Sequence, residues 1–191
     1  MIQASLKDQQ LVVQILCASF DTNKSINYIA KQDSKREERI RVLMEYSFEI
    51  ALKFGEVYIS ENKQAAALIL FPEKRKTDLA VMLMDLKLAL KCIGIWSIGR
   101  VLEKEKKTKA CHPSKPIAHL WFLGVLPSAQ GQGIGKKMLS DIVERANELQ
   151  RPVYLETSMV QNLPFYKTMG FEIYQEIDIS YVIYLLKREI F

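Results

Sequence analysis

Four of the chain's eight glycines, Gly124, Gly131, Gly133 and Gly135, fall in a single run of twelve residues. The run joins an apolar stretch, 117–126, to a segment with apolar residues at 134, 138, 142, 146 and 149, which is the spacing of one helix face. A glycine-rich turn from strand to helix lets backbone N–H groups approach an anion closely, and the start of the helix adds partial positive charge. Lys136 and Lys137 follow at once. The chemistry is that of a phosphate or pyrophosphate cradle built from the amides of 131–136. A Walker P-loop is excluded: Gln130 stands where its first glycine belongs, and Lys137 replaces the Ser or Thr that would hold magnesium. The dinucleotide fingerprint GxGxxG is excluded as well, because the loop reads GxGxG and lies past the midpoint of the chain.

A second group of residues could move protons. Glu156 ends the apolar run Val153-Tyr154-Leu155, where a buried, unpaired carboxylate would be costly. His119 lies early in the apolar stretch before the loop. Strict alternation would place it on one face with Trp121, Leu123 and Val125. Tyr166 follows Asn162 by four residues.

The segment Gln130-Gly131-Gln132-Gly133-Ile134-Gly135, preceded by Leu123-Gly124-Val125-Leu126-Pro127, resembles the acetyl-CoA-binding motif of the GNAT superfamily of N-acetyltransferases. That pattern is Arg or Gln, two residues, Gly, one residue, then Gly or Ala, after a strand ending Val-x-Pro. Leu155-Glu156-Thr157-Ser158, Asn162-Leu163-Pro164-Phe165-Tyr166 and Gly170-Phe171 resemble the second block of the family. Their wording is most like the puromycin N-acetyltransferase group. The resemblance covers about 117–178.

The resemblance implies direct transfer of an acetyl group from acetyl-CoA, as cosubstrate, to an amine. It assigns Gln130, Gly131, Gln132, Gly133, Ile134, Gly135 and Lys136 to the pyrophosphate. Leu123 and Val125 would pair their backbone with the pantetheine arm, with Gly124 leaving room for its approach. Asn162 would bond the pantetheine amide or cap the following helix. An alkylammonium must lose its proton before it attacks. His119, at the family's base position, and Glu156 are both candidates for that base. Tyr166 holds the family's tyrosine position and would give a proton to the leaving thiolate. No metal is implied.

These residues need a scaffold, and its elements are legible in the pattern. Residues 6–20 and 33–54 read as helices, and 56–60 with 65–71 as a hairpin turning at Glu61-Asn62-Lys63. Residues 78–109 read as helical, with breaks at Gly94 and Gly99, inside an insertion of about 73–115. Then follow a strand over 117–126, a helix over 134–149, a strand over 152–157, a short helix over 163–169, and strands over 171–177 and 181–186. This order predicts a single α+β (mixed α/β) domain over 1–191. The family resemblance gives it a GNAT-like central sheet, mixed but largely antiparallel, flanked by helices.

Composition sets the outer bounds. The chain has 191 residues, 49% hydrophobic and 26% charged, as a globular domain has. Three scattered cysteines point to a reducing compartment, and with two histidines they make a Cys/His zinc site improbable. Without a signal-like N-terminus or a spanning segment, the expectation is a cytoplasmic protein with no membrane partner. A net charge of +5 without a basic–aromatic stripe argues against nucleic acid. The expected acceptor is a small-molecule amine. Met82, Met84, Leu88, Ile95 and Trp96 offer an apolar surface that suits a lid, a core or a homodimer contact. Two other readings keep the glycine loop: a catalytically silent CoA-binding regulatory module, and an acetyltransferase of a protein N-terminus or lysine.

Overall fold

The computed structural model describes residues 1–190. In chain order its regular elements are β1 (Ile2–Gln3), α1 (Gln9–Phe20), α2 (Lys24–Ile29), α3 (Arg36–Phe54), β2 (Gly55–Ile59), β3 (Ala65–Leu70), α4 (Leu79–Leu88), α5 (Ile98–Ala110), β4 (Ala118–Val125), α6 (Ile134–Glu148), β5 (Val153–Thr157), α7 (Leu163–Thr168), β6 (Glu172–Asp178) and β7 (Val182–Arg188). The strands form one mixed sheet in the order β1-β2-β3-β4-β5-β7-β6. Every neighbouring pair is antiparallel except β4 and β5, which the α6 crossover joins in parallel. The expected fold class is therefore the observed one.

Each face of the sheet is covered. On one face α1 and α3 bury Leu16, Met44 and Phe48 against Leu68 and Phe122. On the other, α6 buries Met138, Leu139 and Ile142 against Ile69, Leu120 and Leu155. β3 is buried along its whole length, which is why its sequence, Ala65-Ala66-Ala67-Leu68-Ile69-Leu70, is an unbroken apolar run.

Three details depart from the sequence expectation. β1 and α2 are too short for a periodic signal, although Asn23 caps α2 by accepting from the Ser25 and Ile26 amides. Gly94, at a φ of 78°, does separate α4 and a following π turn (Ala89–Ile93) from α5. Gly99 does not break the chain; it sits in the first turn of α5, where a glycine lowers helix propensity without ending the helix.

Two features of β4 shape the site. It pairs with β5 only at Ala118↔Val153 and His119↔Tyr154, after which the two strands part. On its other side the register with β3 passes from Leu68↔Phe122 to Ile69↔Leu120, which leaves Trp121 as an extra, bulged residue.

Gly55 starts β2 opposite Leu70, and a Cβ added there would lie 1.9 Å from the Ile69 carbonyl oxygen. Replacing it with alanine must push the buried hairpin apart. Gly55→Ala should lower unfolding stability by about 1–3 kcal/mol, the range for overpacking, and urea titration will measure it. An unchanged midpoint would mean that β2 shifts freely.

Candidate active site

A cleft of ≈ 340 Å³ opens where β4 and β5 part. Leu123, Val125, Gln130, Gly135, Asn162 and Tyr166 all line it, and Ser19, Phe20 and Asn23 close it from the end of α1 and the start of α2. Gly131, Gln132, Gly133, Ile134 and Lys136 lie in the loop and first turn beside it rather than on its wall. Gly124 lines the cleft too, and it faces α1. A Cβ there would lie 2.9 Å from the Cβ and Oγ of Ser19, so its missing side chain makes room for α1.

The loop has the form of an anion cradle. Gly131 and Gly133 have φ values of 78° and 77°, and an added Cβ at either would meet nothing within 4 Å. Successive left-handed glycines turn their amides toward one side and leave that side open. The Lys137 amide donates to the Gly133 carbonyl at 2.9 Å as the first bond of α6. The amides of Ile134, Gly135 and Lys136 precede it, so the helix itself offers them no acceptor. These residues fit the diphosphate of a CoA-type ligand. Asn162 makes no side-chain cap to α7, so of its two expected roles the capping one is not seen.

Where β4 and β5 still pair, at residues that do not themselves line the cleft, three titratable side chains meet. Nε2 of His119 lies 2.7 Å from Oε2 of Glu156. Nε2 of His112 lies 2.6 Å from the other oxygen, Oε1. The two imidazoles meet edge to face, with centroids 4.9 Å apart. His119 is only 9% exposed, so it is not a solvated strand end.

The bulge at Trp121 explains this placement and corrects the face assignment. His119, Trp121 and Phe122 point toward the α1–α3 side, whereas Leu123 and Val125 pack toward α6. Strict alternation fails at the extra residue.

Burial and charge oppose each other in this group. Burial favours neutral forms at both His119 and Glu156. For Glu156 the two imidazoles outweigh burial, and its carboxyl is held well below the usual carboxylate range. For His119 burial is the largest single influence and lowers the pKa, but the charge and hydrogen bond of Glu156 together reverse it, so the net shift is upward. The three donor atoms all lie within 4.8 Å of one another, a span that a divalent cation could bridge. Each imidazole–carboxylate contact is already a short hydrogen bond, so we read the cluster as one that shares protons. His112 is the residue sequence reasoning missed. It lies near the end of the insertion of about forty residues and carries no local signal of its destination.

Tyr166 stands half-buried on the cleft wall, and burial pushes its phenol up to about 12. It is therefore a proton donor at neutral pH. Two further hydroxyls, Ser158 Oγ and Tyr174 Oη, are buried without a hydrogen-bond partner. Tyr174 is close enough to Glu156 for that charge, after burial, to raise its pKa.

The profile of the acetyltransferase (GNAT) domain family matches residues 90–173, which include the bulged strand, the glycine loop, Glu156 and Tyr166. That stretch is similar to a GNAT acetyltransferase domain. An uncharacterised N-acetyltransferase of Schizosaccharomyces pombe is 28% identical over 99 residues, which are 44% of this chain and 40% of that relative. The match thus spans well under half the length of the yeast protein. Two solved structures share the fold over nearly their full lengths. One is the histone acetyltransferase HPA2 and related acetyltransferase from Corynebacterium glutamicum, with a TM-score of 0.70 at 18% identity, covering 100% of this chain and 95% of that one. The other is arylalkylamine N-acetyltransferase 2 of Aedes aegypti, with a TM-score of 0.67 at 16% identity, covering 100% and 98%.

The opposed influences on His119 give a signed expectation. In Glu156→Gln the carboxylate that holds the imidazolium is gone while burial remains, so the His119 pKa should fall below its ordinary value of about 6.5. An imidazole NMR titration will read it. An unmoved or higher His119 pKa would show that Glu156 does not control the histidine.

Proposed function

We propose that the protein is an acetyl-CoA-dependent N-acetyltransferase that moves an acetyl group directly to the amine of a small molecule. The observation that carries this reading is one cleft with a glycine cradle beside it and a protonated tyrosine on its wall, and an imidazole–carboxylate cluster on the same two strands where β4 and β5 still pair. Acetyl-CoA would supply the acetyl group as a thioester. The amides at the start of α6 would hold its diphosphate, and the open edge of β4 at Leu123 and Val125 its amide-bearing arm.

The chain's own groups handle the protons. Glu156 is ionised and can only accept hydrogen bonds, so Nε2 of each imidazole carries the hydrogen in that contact. The basic atom of neutral His119 is then Nδ1. The acceptor ammonium gives its proton to that nitrogen, directly or through water, and the freed amine attacks the acetyl carbonyl. Tyr166 gives its phenolic proton to the departing thiolate. Glu156 thus anchors and tunes the base and is not the base itself.

His119, Glu156 and Tyr166 together favour an enzyme over a silent CoA-binding module. The far side of the site supports a small acceptor over a protein terminus or lysine. The Arg100 guanidinium lies 4.3 Å from the centre of the Tyr28 ring, and Tyr28 meets Tyr181 edge to face at 5.5 Å. The Tyr181 hydroxyl donates to Ser25 Oγ at 3.0 Å, tying the β6–β7 turn to α2. A peptide needs an open groove across this region. The arylalkylamine relative agrees with a small acceptor. The relatives named above do not echo the puromycin-type wording, so it does not select an acceptor.

Acetyl-CoA should raise the melting temperature of the chain by mass action, and Gly133→Asp, which puts a carboxylate into the cradle, should abolish that shift in a folded protein. Release of free thiol across a panel of small amines then identifies the acceptor. No shift with the wild type, or a full shift with folded Gly133→Asp, would sink the loop assignment.

Tyr166→Phe keeps the ring and removes only the hydroxyl. Its kcat should fall about 100-fold, the usual weight of general-acid help, with KM for acetyl-CoA little changed. Single-turnover rates guard against masking by product release. A variant with an unchanged single-turnover rate would remove Tyr166 from the chemistry.

A further inference from the structure

The insertion between β3 and β4 has two unusual properties that coincide. Eight of the fourteen exposed large hydrophobic residues among the described residues lie between 79 and 102. Residues 74–109 also hold ten Lys or Arg against four Asp or Glu, a net +6, while the rest of the chain nets −1. The chain's whole positive excess sits beside its most exposed apolar surface.

The apolar residues are ordered. On α4 one stripe, Val81, Met84 and Leu88, continues to Cys92 and packs inward on the core under α3. Tyr46 donates to Asp85 at 2.6 Å and Lys87 lies 3.7 Å from Glu45, which fixes the helix against α3. A second stripe on the same helix, Leu79, Met82, Leu83 and Leu86, with Leu90 one turn further, faces outward, each residue more than half exposed. Beyond Gly94 the fully exposed Trp96 and the adjacent Ile95 extend it. A helix that is apolar all round needs cover on both faces, and α4 has it on one. Lys76, Lys91 and Lys106 border this surface with no acidic partner among the described residues.

We propose that this face docks on an anionic lipid surface, with the outer stripe of α4 and Trp96 entering the headgroup region and the flanking lysines meeting the lipid charge. Three observations select this occupant. The surface is an exposed apolar helix stripe with a fully exposed indole beyond it, the form that lies in a membrane interface. Its basic border complements anionic headgroups, each cation adding to the attraction. A second copy would set one +6 segment against another. No helix among the described residues is long and apolar enough to cross a membrane, so the chain would lie on the surface. The expectation of no membrane partner rested on that missing span, which does not bear on interfacial contact.

The test uses the full chain and sedimentation with phosphatidylcholine vesicles, with and without phosphatidylserine, at low and high salt. Binding should require phosphatidylserine and weaken with salt. The double variant Leu83→Gln/Trp96→Gln alters only exposed side chains, and it should bind about tenfold more weakly or worse while keeping its acetyl-CoA thermal shift. That retained shift separates this inference from the proposed activity. Three results would overturn it: no binding to anionic vesicles at low salt, equal binding by the double variant, or a wild-type dimer in analytical ultracentrifugation that the double variant dissolves. The last would assign the face to a second copy.

Discussion

The site depends on one constraint: β4 and β5 keep parallel pairing for two residues and then separate. A strand that loses its neighbour leaves backbone N–H and C=O groups along that edge, and these groups need partners. β5 finds its own in β7, through five consecutive pairs from Val153↔Arg188 to Thr157↔Tyr184. On the cleft-side edge of β4 the Val125 carbonyl accepts from Gln130 Nε2 at 3.2 Å, and the stretch from Leu123 suits something that can offer amide groups in strand-like spacing. An extended, amide-bearing ligand arm meets that need. The same separation brings the start of α6 and the region around α7 to opposite sides of one opening. Cradle, edge and tyrosine are therefore consequences of a single break in pairing.

The bulge at Trp121 adds the second ingredient. Without the extra residue, His119 would share a face with Leu123 and pack into the α6 core, where an ionised imidazole has no partner. With it, His119 turns to the side that also receives Glu156 and His112. Each charge there is tolerable only because of the others. Burial alone would neutralise Glu156 and deprotonate His119, whereas their mutual attraction reverses both tendencies. An imidazole poised above the ordinary histidine value would, in the proposed role of base, suit an acceptor that arrives as an ammonium, because the nearer the two affinities for the proton, the smaller the uphill transfer.

How far the sequence was legible follows from the range of each signal. The β4–α6 turn, the hairpin and α6 itself were readable because glycine spacing and helical periodicity are local. The residues proposed for the cofactor, and Tyr166, were nominated by two contiguous motifs. What escaped was non-local or short. His112 reaches Glu156 across 44 positions, and nothing in Ala110-Cys111-His112-Pro113 announces that contact. The bulge was hidden because alternation inside an apolar run carries no mark of a skipped residue: Leu120-Trp121-Phe122-Leu123 is apolar whichever way each residue points. That Gly124 also makes room for Ser19 of α1 carries no local signal either.

The insertion is more than an addition to the surface. Its inner face is continuous with the core beneath α3, and Arg39 holds it by donating to the Lys91 carbonyl at 2.8 Å. Its end is bound into the site, since His112 lies two residues past α5 and supplies one of the two hydrogen bonds on Glu156. The path of the chain from α5 back to β4 therefore fixes how completely Glu156 is paired, and through Glu156 how strongly His119 holds a proton. A carboxylate with one imidazole partner would be a weaker anchor than one with two. The same segment that carries the exposed apolar face thus also completes the cluster on Glu156, and trimming it would change how that carboxylate is paired.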